Sequence, residues 1–166
     1  TTWFSGTHAE IKEHLKKINW SEAALLAHNT LFDACILSWH FDCHPAYLFD
    51  TLCMARAIHG VEAGGSLKAL ALRYELGVKG DEVIHAEGKR RQDFTEEELQ
   101  RYGEYCKNDV ELTLGLFHVL TSAFPQNELD LIDMTLRMFT EPVFHVDDVL
   151  LQDRLIELKE EKMALE

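Results

Sequence analysis

The stretch from Ala27 to Asp33 constrains the fold more than any other, because it places a carboxylate just beyond the end of an apolar run. That run, Ala23–Ala27, is short and uncharged and follows turn-forming residues at 19–21, which predicts a strand buried on both faces. Apolar residues then recur at helical spacing from Thr30 to Trp39, so Asp33 falls in the first turn of a helix leaving the sheet. Ligand sites in open α/β sheets favour the carboxyl ends of strands, which makes Asp33 a candidate site residue.

A second group of candidate residues lies on a long helix predicted to begin after Thr95, where Thr95 and Glu98 form a capping-box pattern. Tyr105 and Asp109 are four residues apart and therefore share a face of that helix. Asp109 lies beside the predicted apolar stripe, so its carboxylate is partly buried, which is costly unless a cation or hydrogen-bond donors compensate. The predicted stripe consists of Leu99, Tyr102, Cys106, Val110, Thr113, Phe117 and Leu120.

Asp33, Tyr105 and Asp109 together indicate a partial metal site. Hard cations such as Mg²⁺ or Mn²⁺ prefer oxygen ligands and often bind through one or two carboxylates plus substrate phosphate. Two such ions about 4 Å apart can activate a water and stabilise the leaving oxygen of a phosphodiester. Each residue alone has a structural interpretation, as a helix-start carboxylate, a packing aromatic and a salt-bridge partner.

The other patterns predict further helices and one more strand. Thr7 and Glu10 form a capping box that opens an amphipathic helix. The apolar run from Pro45 to Asp50 predicts a strand, and Asp50 is either a ligand or, as we favour, the cap of the helix Leu52–His59. Ser66 is predicted to cap a helix after the Gly64-Gly65 loop, in preference to a phosphate site there.

The second half of the chain is predicted to be mainly helical. Residues 77–94 have a mixed pattern that predicts a flexible surface loop, and its basic triplet Lys89–Arg91 is interpreted as solvated, with a nucleic-acid contact as the alternative. Pro125 ends the long helix, and apolar spacing predicts a helix over Glu128–Phe139. After a break at Pro142, a charged helix is expected over Asp148–Leu165.

Composition limits the class of protein. With 166 residues, 46% hydrophobic and 27% charged, the chain has the composition of a soluble globular domain. It has neither a signal-peptide pattern nor an apolar run near the roughly 20 residues of a membrane span, so we expect a cytoplasmic protein without a membrane partner. The net charge of −13 argues against nonspecific duplex binding. The four cysteines show no CxxC pair, which favours buried free thiols over a zinc site at His40–His44.

Two motifs resemble those of a known enzyme family. The segment His28-Asn29-Thr30-Leu31-Phe32-Asp33 resembles the second motif of the tyrosine-type DEDD 3′–5′ exonucleases, and Tyr105-x-x-x-Asp109 resembles the third. Together with Asp50-Thr51-Leu52 and the segment Ser66–Leu70, they are most similar to the proofreading domain of phage-type family-A DNA polymerases. The segment from Glu128 to Lys162 resembles the join to the polymerase portion.

This resemblance implies an α/β, helix-rich, ribonuclease-H-like fold that removes nucleotides from the 3′ end of single-stranded DNA with two Mg²⁺ or Mn²⁺ ions. By motif position, Asp33 and Asp109 would be metal ligands, Tyr105 would position the attacking water, and Asn29 and Phe32 would contact the terminal nucleotide. Residues 1–124 would form the exonuclease-like domain and 125–166 a helical extension. The partners implied are a single-stranded DNA 3′ end and the remainder of a polymerase chain.

The first motif of that family, an Asp-x-Glu on the first strand, has no counterpart before Asp33. We therefore expect the first strands of the sheet to be missing and the two-ion site to be incomplete. The chain is interpreted as a fragment of a polymerase or as a remnant that needs another chain, and we expect it to be nearly inactive alone. The alternatives are an RNA-directed exonuclease of the same superfamily and a noncatalytic scaffold whose acidic helices bind a protein partner.

Overall fold

The computed structural model describes residues 1–80, 88–141 and 143–165. Within these ranges the protein is a helix-rich α/β structure in which helices surround a short parallel sheet. The helices are α1 (His8–Leu15), α2 (Thr30–Phe41), α3 (Thr51–His59), α4 (Leu67–Arg73), α5 (Glu96–Thr121), α6 (Gln126–Thr140) and α7 (Asp148–Leu165). The strands are β1 (Ala24–Ala27) and β2 (Tyr47–Asp50).

The two strands run parallel, with Ala24 paired to Tyr47 and Ala27 paired to Asp50. Because their carboxyl ends lie at the same edge, helices α2 and α3 begin side by side. Asp50 joins these two beginnings. Its buried carboxylate accepts hydrogen bonds from the backbone N–H groups of Asn29, Thr30, Leu52 and Cys53, at 2.8 to 3.3 Å. The predicted capping role of Asp50 is therefore confirmed, and it extends to the start of α2 as well as α3.

The prediction that the first strand is buried on both faces is wrong. Ala24 is exposed, and residues 25–27 of β1 are only partly buried. In the part of the chain that the structure describes, the sheet has two strands, so β1 is an edge strand. One side of β1 also faces an open cavity, described below, rather than a packed layer.

The main core lies between α5 and the helix pair α3 and α4. Its centre consists of fully buried side chains of Met54, Leu70 and Leu116. The buried residues of α5 are Gly103, Tyr105, Leu112, Thr113, Leu116 and Leu120. The predicted stripe is therefore wrong at Val110, which is 56% exposed, because α3 and α4 pack against a neighbouring line of the helix surface.

Helix α6 packs across α2 and β2. Its Leu129 belongs to the main core. Leu136 joins Ala34 and Leu48 in a second apolar cluster. The Ser38 hydroxyl donates to the Thr140 carbonyl at 2.7 Å, and the Asp133 carboxylate accepts from the Leu48 N–H at 2.8 Å. Helix α7, in contrast, is exposed along its whole length. This pairing of an α/β unit with a C-terminal helical region agrees with the predicted fold class.

Local signals predicted the helix starts correctly. Both capping boxes form, at Thr7 with Glu10 and at Thr95 with Glu98, and the Ser66 hydroxyl accepts from the Ala69 N–H. None of the helices described is both long and apolar enough to cross a membrane. The predicted flexible loop includes residues 81–87, which lie outside the described ranges, as does the predicted break at residue 142.

Candidate active site

Asp33 and Asp109 line one cavity of about 530 Å³, although 76 positions separate them in the chain. Asp33 comes from the first turn of α2 and Asp109 from the middle of α5. The cavity lies between β1, α2, α4 and α5, and most of its remaining lining is apolar. The other lining residues are Leu25, Leu26, Ala27, His28, Ile36, Leu37, Leu67, Lys79, Val110 and Thr113.

The environment of Asp33 disfavours its charged form. Desolvation by the cavity walls raises the pKa of this carboxyl, a hydrogen bond from its own backbone lowers it, and the negative charge of Asp50 raises it. The side chain still has accessible surface, because the cavity is open to water. A carboxylate that is accessible but poorly solvated gains from a bound cation.

Asp109 is partly buried, and only one of its two oxygens has a partner. The ammonium group of Lys79 donates to Asp109 Oδ2 at 2.5 Å. The other oxygen, Oδ1, is buried and lacks a hydrogen-bond partner, the one such side-chain atom in the ranges that the structure describes. A buried acceptor without a donor is unfavourable, so Oδ1 is available to a cation or to a water.

Tyr105 lies next to this pair rather than in the same cavity. Its ring is buried and borders an adjoining cavity, also of about 530 Å³. Lys79 Nζ lies 5.2 Å from the centre of the ring, within cation–π distance. Burial raises the pKa of the Tyr105 phenol, the hydrogen bond to Lys79 lowers it and the one to Asp109 raises it, so the phenol is neutral at pH 7. Tyr105, Lys79 and Asp109 thus form a connected group.

Asn29 and Phe32 lie on the outer side of α2, in a third cavity of about 430 Å³. This cavity shares Ile36 with the one that holds Asp33 and Asp109. The Phe32 side chain is 65% exposed. Asn29 has a left-handed backbone, with φ of 74°, and its N–H is bound by Asp50. The structure therefore places Asn29 and Phe32 outside the cavity that Asp33 and Asp109 line.

Two polar residues near the carboxylates had no role in the sequence prediction. Lys79 lies in the stretch that reads as a surface loop, and its local pattern contains no signal of a contact 30 positions away. Hydrogen bonds to Asp109 and Tyr105 outweigh the effect of burial and raise the pKa of Lys79, so it is charged at neutral pH. His28 joins three segments through contacts of 2.9 Å to the Thr51 hydroxyl and 2.7 Å to the Gly65 carbonyl, and burial lowers its pKa.

The donor set fits a divalent metal ion, though sparsely. Carboxylate oxygens suit Mg²⁺ and Mn²⁺, and the unpartnered Oδ1 of Asp109 is an available ligand. Within the described ranges, no three His, Cys, Asp or Glu side chains gather closely enough to hold a metal by themselves. Asp33 and Asp109 supply two carboxylates to the cavity, so an ion there would need water or a substrate phosphate as its other ligands.

The comparison with known families gave a match. A family model described as 3′–5′ exonuclease matches residues 6–124, more than two thirds of the chain. The matched range includes Asn29, Phe32, Asp33, Tyr105 and Asp109. Comparisons with curated proteins and with solved structures gave no match.

Proposed function

Since the chain belongs to the 3′–5′ exonuclease family of the family-A DNA polymerase type, we propose that it acts on the 3′-terminal phosphodiester of single-stranded DNA with two divalent metal ions. The observation that carries this proposal is that Asp33 and Asp109 line one cavity. Their shared position supports a role for both as ligands of Mg²⁺ or Mn²⁺. The unpartnered Oδ1 of Asp109 supports it further, because a cation would compensate that buried acceptor.

The side chains of the site have separable roles in the proposed reaction. Ions bound by Asp33 and Asp109 would supply an activated water and stabilisation of the leaving oxygen. Tyr105 keeps its proton at neutral pH, because burial raises its pKa. Its hydroxyl can therefore both donate and accept a hydrogen bond, as orientation of an attacking water next to Asp109 requires.

The proposed substrate contacts lie at the start of α2. The exposed ring of Phe32 offers a surface on which a terminal base can stack, a contact of roughly 1–3 kcal/mol that does not read sequence. Asn29, directly before α2, lines the same cavity as Phe32, which supports a contact with the same nucleotide. Tolerance of any base is what a proofreading exonuclease needs. We further propose that residues 1–124 form the exonuclease unit and that 125–166 lead toward a polymerase portion.

The metal affinity of the site depends on how many ligands the chain supplies. The sequence contains no Asp-x-Glu before Asp33, so the cavity offers two carboxylates where the family's motifs supply four acidic side chains. We expect the isolated chain to bind Mn²⁺ weakly and to degrade a single-stranded oligonucleotide at or below the detection limit. Robust degradation that Asp33→Ala abolishes would contradict this expectation.

Calorimetric titration with Mn²⁺ tests the proposed site directly. We expect weak binding by the unmodified chain and its loss in Asp33→Asn and in Asp109→Asn, since each variant removes a charged ligand. Glu111→Gln is the matched control, because Glu111 is an exposed acidic residue on the same helix as Asp109. Binding that survives both Asp variants would overturn the assignment, and no binding by any variant would favour the scaffold alternative.

A further inference from the structure

Lys79 holds the carboxylate that we assign as a metal ligand. Its ammonium group donates to Asp109 Oδ2 at 2.5 Å and lines the cavity shared by Asp33 and Asp109. We propose that Lys79 is a built-in cation that pairs with Asp109 in the metal-free protein and weakens the binding of a divalent ion to this carboxylate. This inference rests on the proposed metal site and adds a residue that controls its occupancy.

The segment that carries Lys79 is anchored to helix α5. The Asn108 side chain donates to the Val78 carbonyl at 3.0 Å, so the residues just before Lys79 and Asp109 are joined directly. Gly77, two residues before Lys79, has φ of 139°, and a Cβ there would lie 3.3 Å from the Leu112 side chain. Gly77 thus permits both the turn and the close approach to α5. These contacts hold the segment that carries Lys79 against α5, and Lys79 therefore lies near Asp109.

Electrostatics make Lys79 a competitor of a metal ion. The ammonium occupies Oδ2, and a divalent ion bound at the neighbouring Oδ1 would lie close to a positive charge in a cavity with mostly apolar walls. Two positive charges next to the two oxygens of one carboxylate repel each other strongly when water is partly excluded. The Lys79 and Asp109 side chains are 22% and 25% exposed, so bulk solvent screens this repulsion only in part.

A purely structural ion pair makes a different prediction. If Lys79 only stabilised the fold, its removal would lower stability and would leave Mn²⁺ affinity unchanged or weaker. If Lys79 competes with the metal, its removal lowers stability without metal and tightens Mn²⁺ binding. The direction of the change in metal affinity therefore separates the two roles.

Calorimetric titration with Mn²⁺ on the full chain tests the proposal. We expect Lys79→Met, which keeps a long apolar stem, to bind Mn²⁺ about three- to tenfold more tightly than the unmodified chain. Lys79→Gln should change affinity in the same direction, and Lys79→Arg, which keeps the charge, should not. Lys107→Met is the matched control, because Lys107 is a lysine of α5 that pairs with Glu104 and lines neither cavity.

The possible outcomes separate this inference from the proposed function. Tighter binding in the uncharged Lys79 variants but not in Lys79→Arg or Lys107→Met supports it. Unchanged or weaker binding in both uncharged variants, with binding still lost in Asp109→Asn, overturns it and leaves the metal site intact. Absence of binding in the unmodified chain and in every Lys79 variant overturns the metal site, and the inference with it. Circular dichroism verifies that each variant is folded.

Discussion

Asp33 illustrates how a residue suited to chemistry can be unfavourable for stability. Its pKa is raised mainly by desolvation, so the folded protein holds the Asp33 proton more tightly than the unfolded chain does. This group therefore favours the folded state when protonated, and that contribution is lost as pH rises from the unfolded value of 3.8 through the raised folded value. At neutral pH the ionised carboxylate is a net cost.

We predict that Asp33→Asn stabilises the protein at pH 7 while removing a proposed metal ligand. The expected gain in the free energy of unfolding is about 0.5 kcal/mol, kept small because the side chain is open to water. Urea unfolding at pH 7 and pH 4 measures it, and the gain should shrink at pH 4, because the raised pKa leaves the Asp33 carboxyl of the folded protein more protonated there. Asp153→Asn on the exposed α7 is the control, and destabilisation by Asp33→Asn at pH 7 would contradict the prediction.

Phe32 is a large apolar side chain that lies exposed on α2 instead of packing in the core. We predict that Phe32→Ala weakens the binding of a single-stranded DNA oligonucleotide by about tenfold, through loss of one base stack. Fluorescence anisotropy with a 5′-labelled oligonucleotide measures the change. Phe139→Ala is the matched control, since Phe139 is also an exposed phenylalanine, at 52%, and lies on α6 outside the three cavities. Equal losses in both variants would indicate general adhesion to an apolar face instead.

At the level of elements, Asp50 holds the starts of α2 and α3 against the end of β2. Its carboxylate is 2% exposed and accepts four backbone N–H groups, whereas an ordinary cap accepts one or two. We predict that Asp50→Ala lowers the free energy of unfolding by about 3 kcal/mol, because it leaves several buried donors unpaired. Urea unfolding measures the loss.

The control for Asp50 is an exposed cap of a single helix. Among the described residues, the Asp147 carboxylate accepts a single hydrogen bond, from the Leu150 N–H at the start of α7. Asp147→Ala should cost no more than about 1 kcal/mol. A loss of similar size in both variants would show that Asp50 acts as an ordinary cap and does not couple the two helices.

The elements that sequence predicted well are those fixed by neighbouring residues. The capping boxes at Thr7 and Thr95 need only a partner three positions away, so both helix starts were predictable. The buried face of α5 was predicted only in part: Thr113 and Leu120 of the predicted stripe are buried and Val110 is not, because contacts with α3 and α4 select the line through Leu112. Lys79 was missed for the same reason, since its partner Asp109 is distant in the chain.

At the scale of the whole molecule, the candidate site is a product of the entire fold. The position of Asp33 depends on the start of α2, which the hydrogen bonds of Asp50 hold in place. The position of Asp109 depends on the packing of α5 against α3 and α4. Residues of four elements then form the mostly apolar walls of the cavity that both carboxylates line. Metal binding and global stability should therefore be linked, because an ion bound only by the folded protein stabilises it by mass action.

We predict that Mn²⁺ at ten times its dissociation constant raises the free energy of unfolding by about 1.4 kcal/mol. For a chain of this size, that gain corresponds to a rise of about 3–6 °C in Tm, which differential scanning calorimetry measures. The net charge of −13 complicates the result, since any salt weakens repulsion among surface carboxylates. The Tm measured in NaCl at matched ionic strength gives the size of that general effect.

The Asp109→Asn variant separates Mn²⁺ binding at the site from this general salt effect. It removes one charge of thirteen and so retains nearly the whole general salt effect, but it removes a proposed ligand. We expect its Tm in Mn²⁺ to exceed that in NaCl by less than about 1 °C, while the unmodified chain and Glu111→Gln keep the full difference. An equal response in all three proteins would mean that Mn²⁺ acts on the acidic surface and that the cavity between α2 and α5 does not hold it.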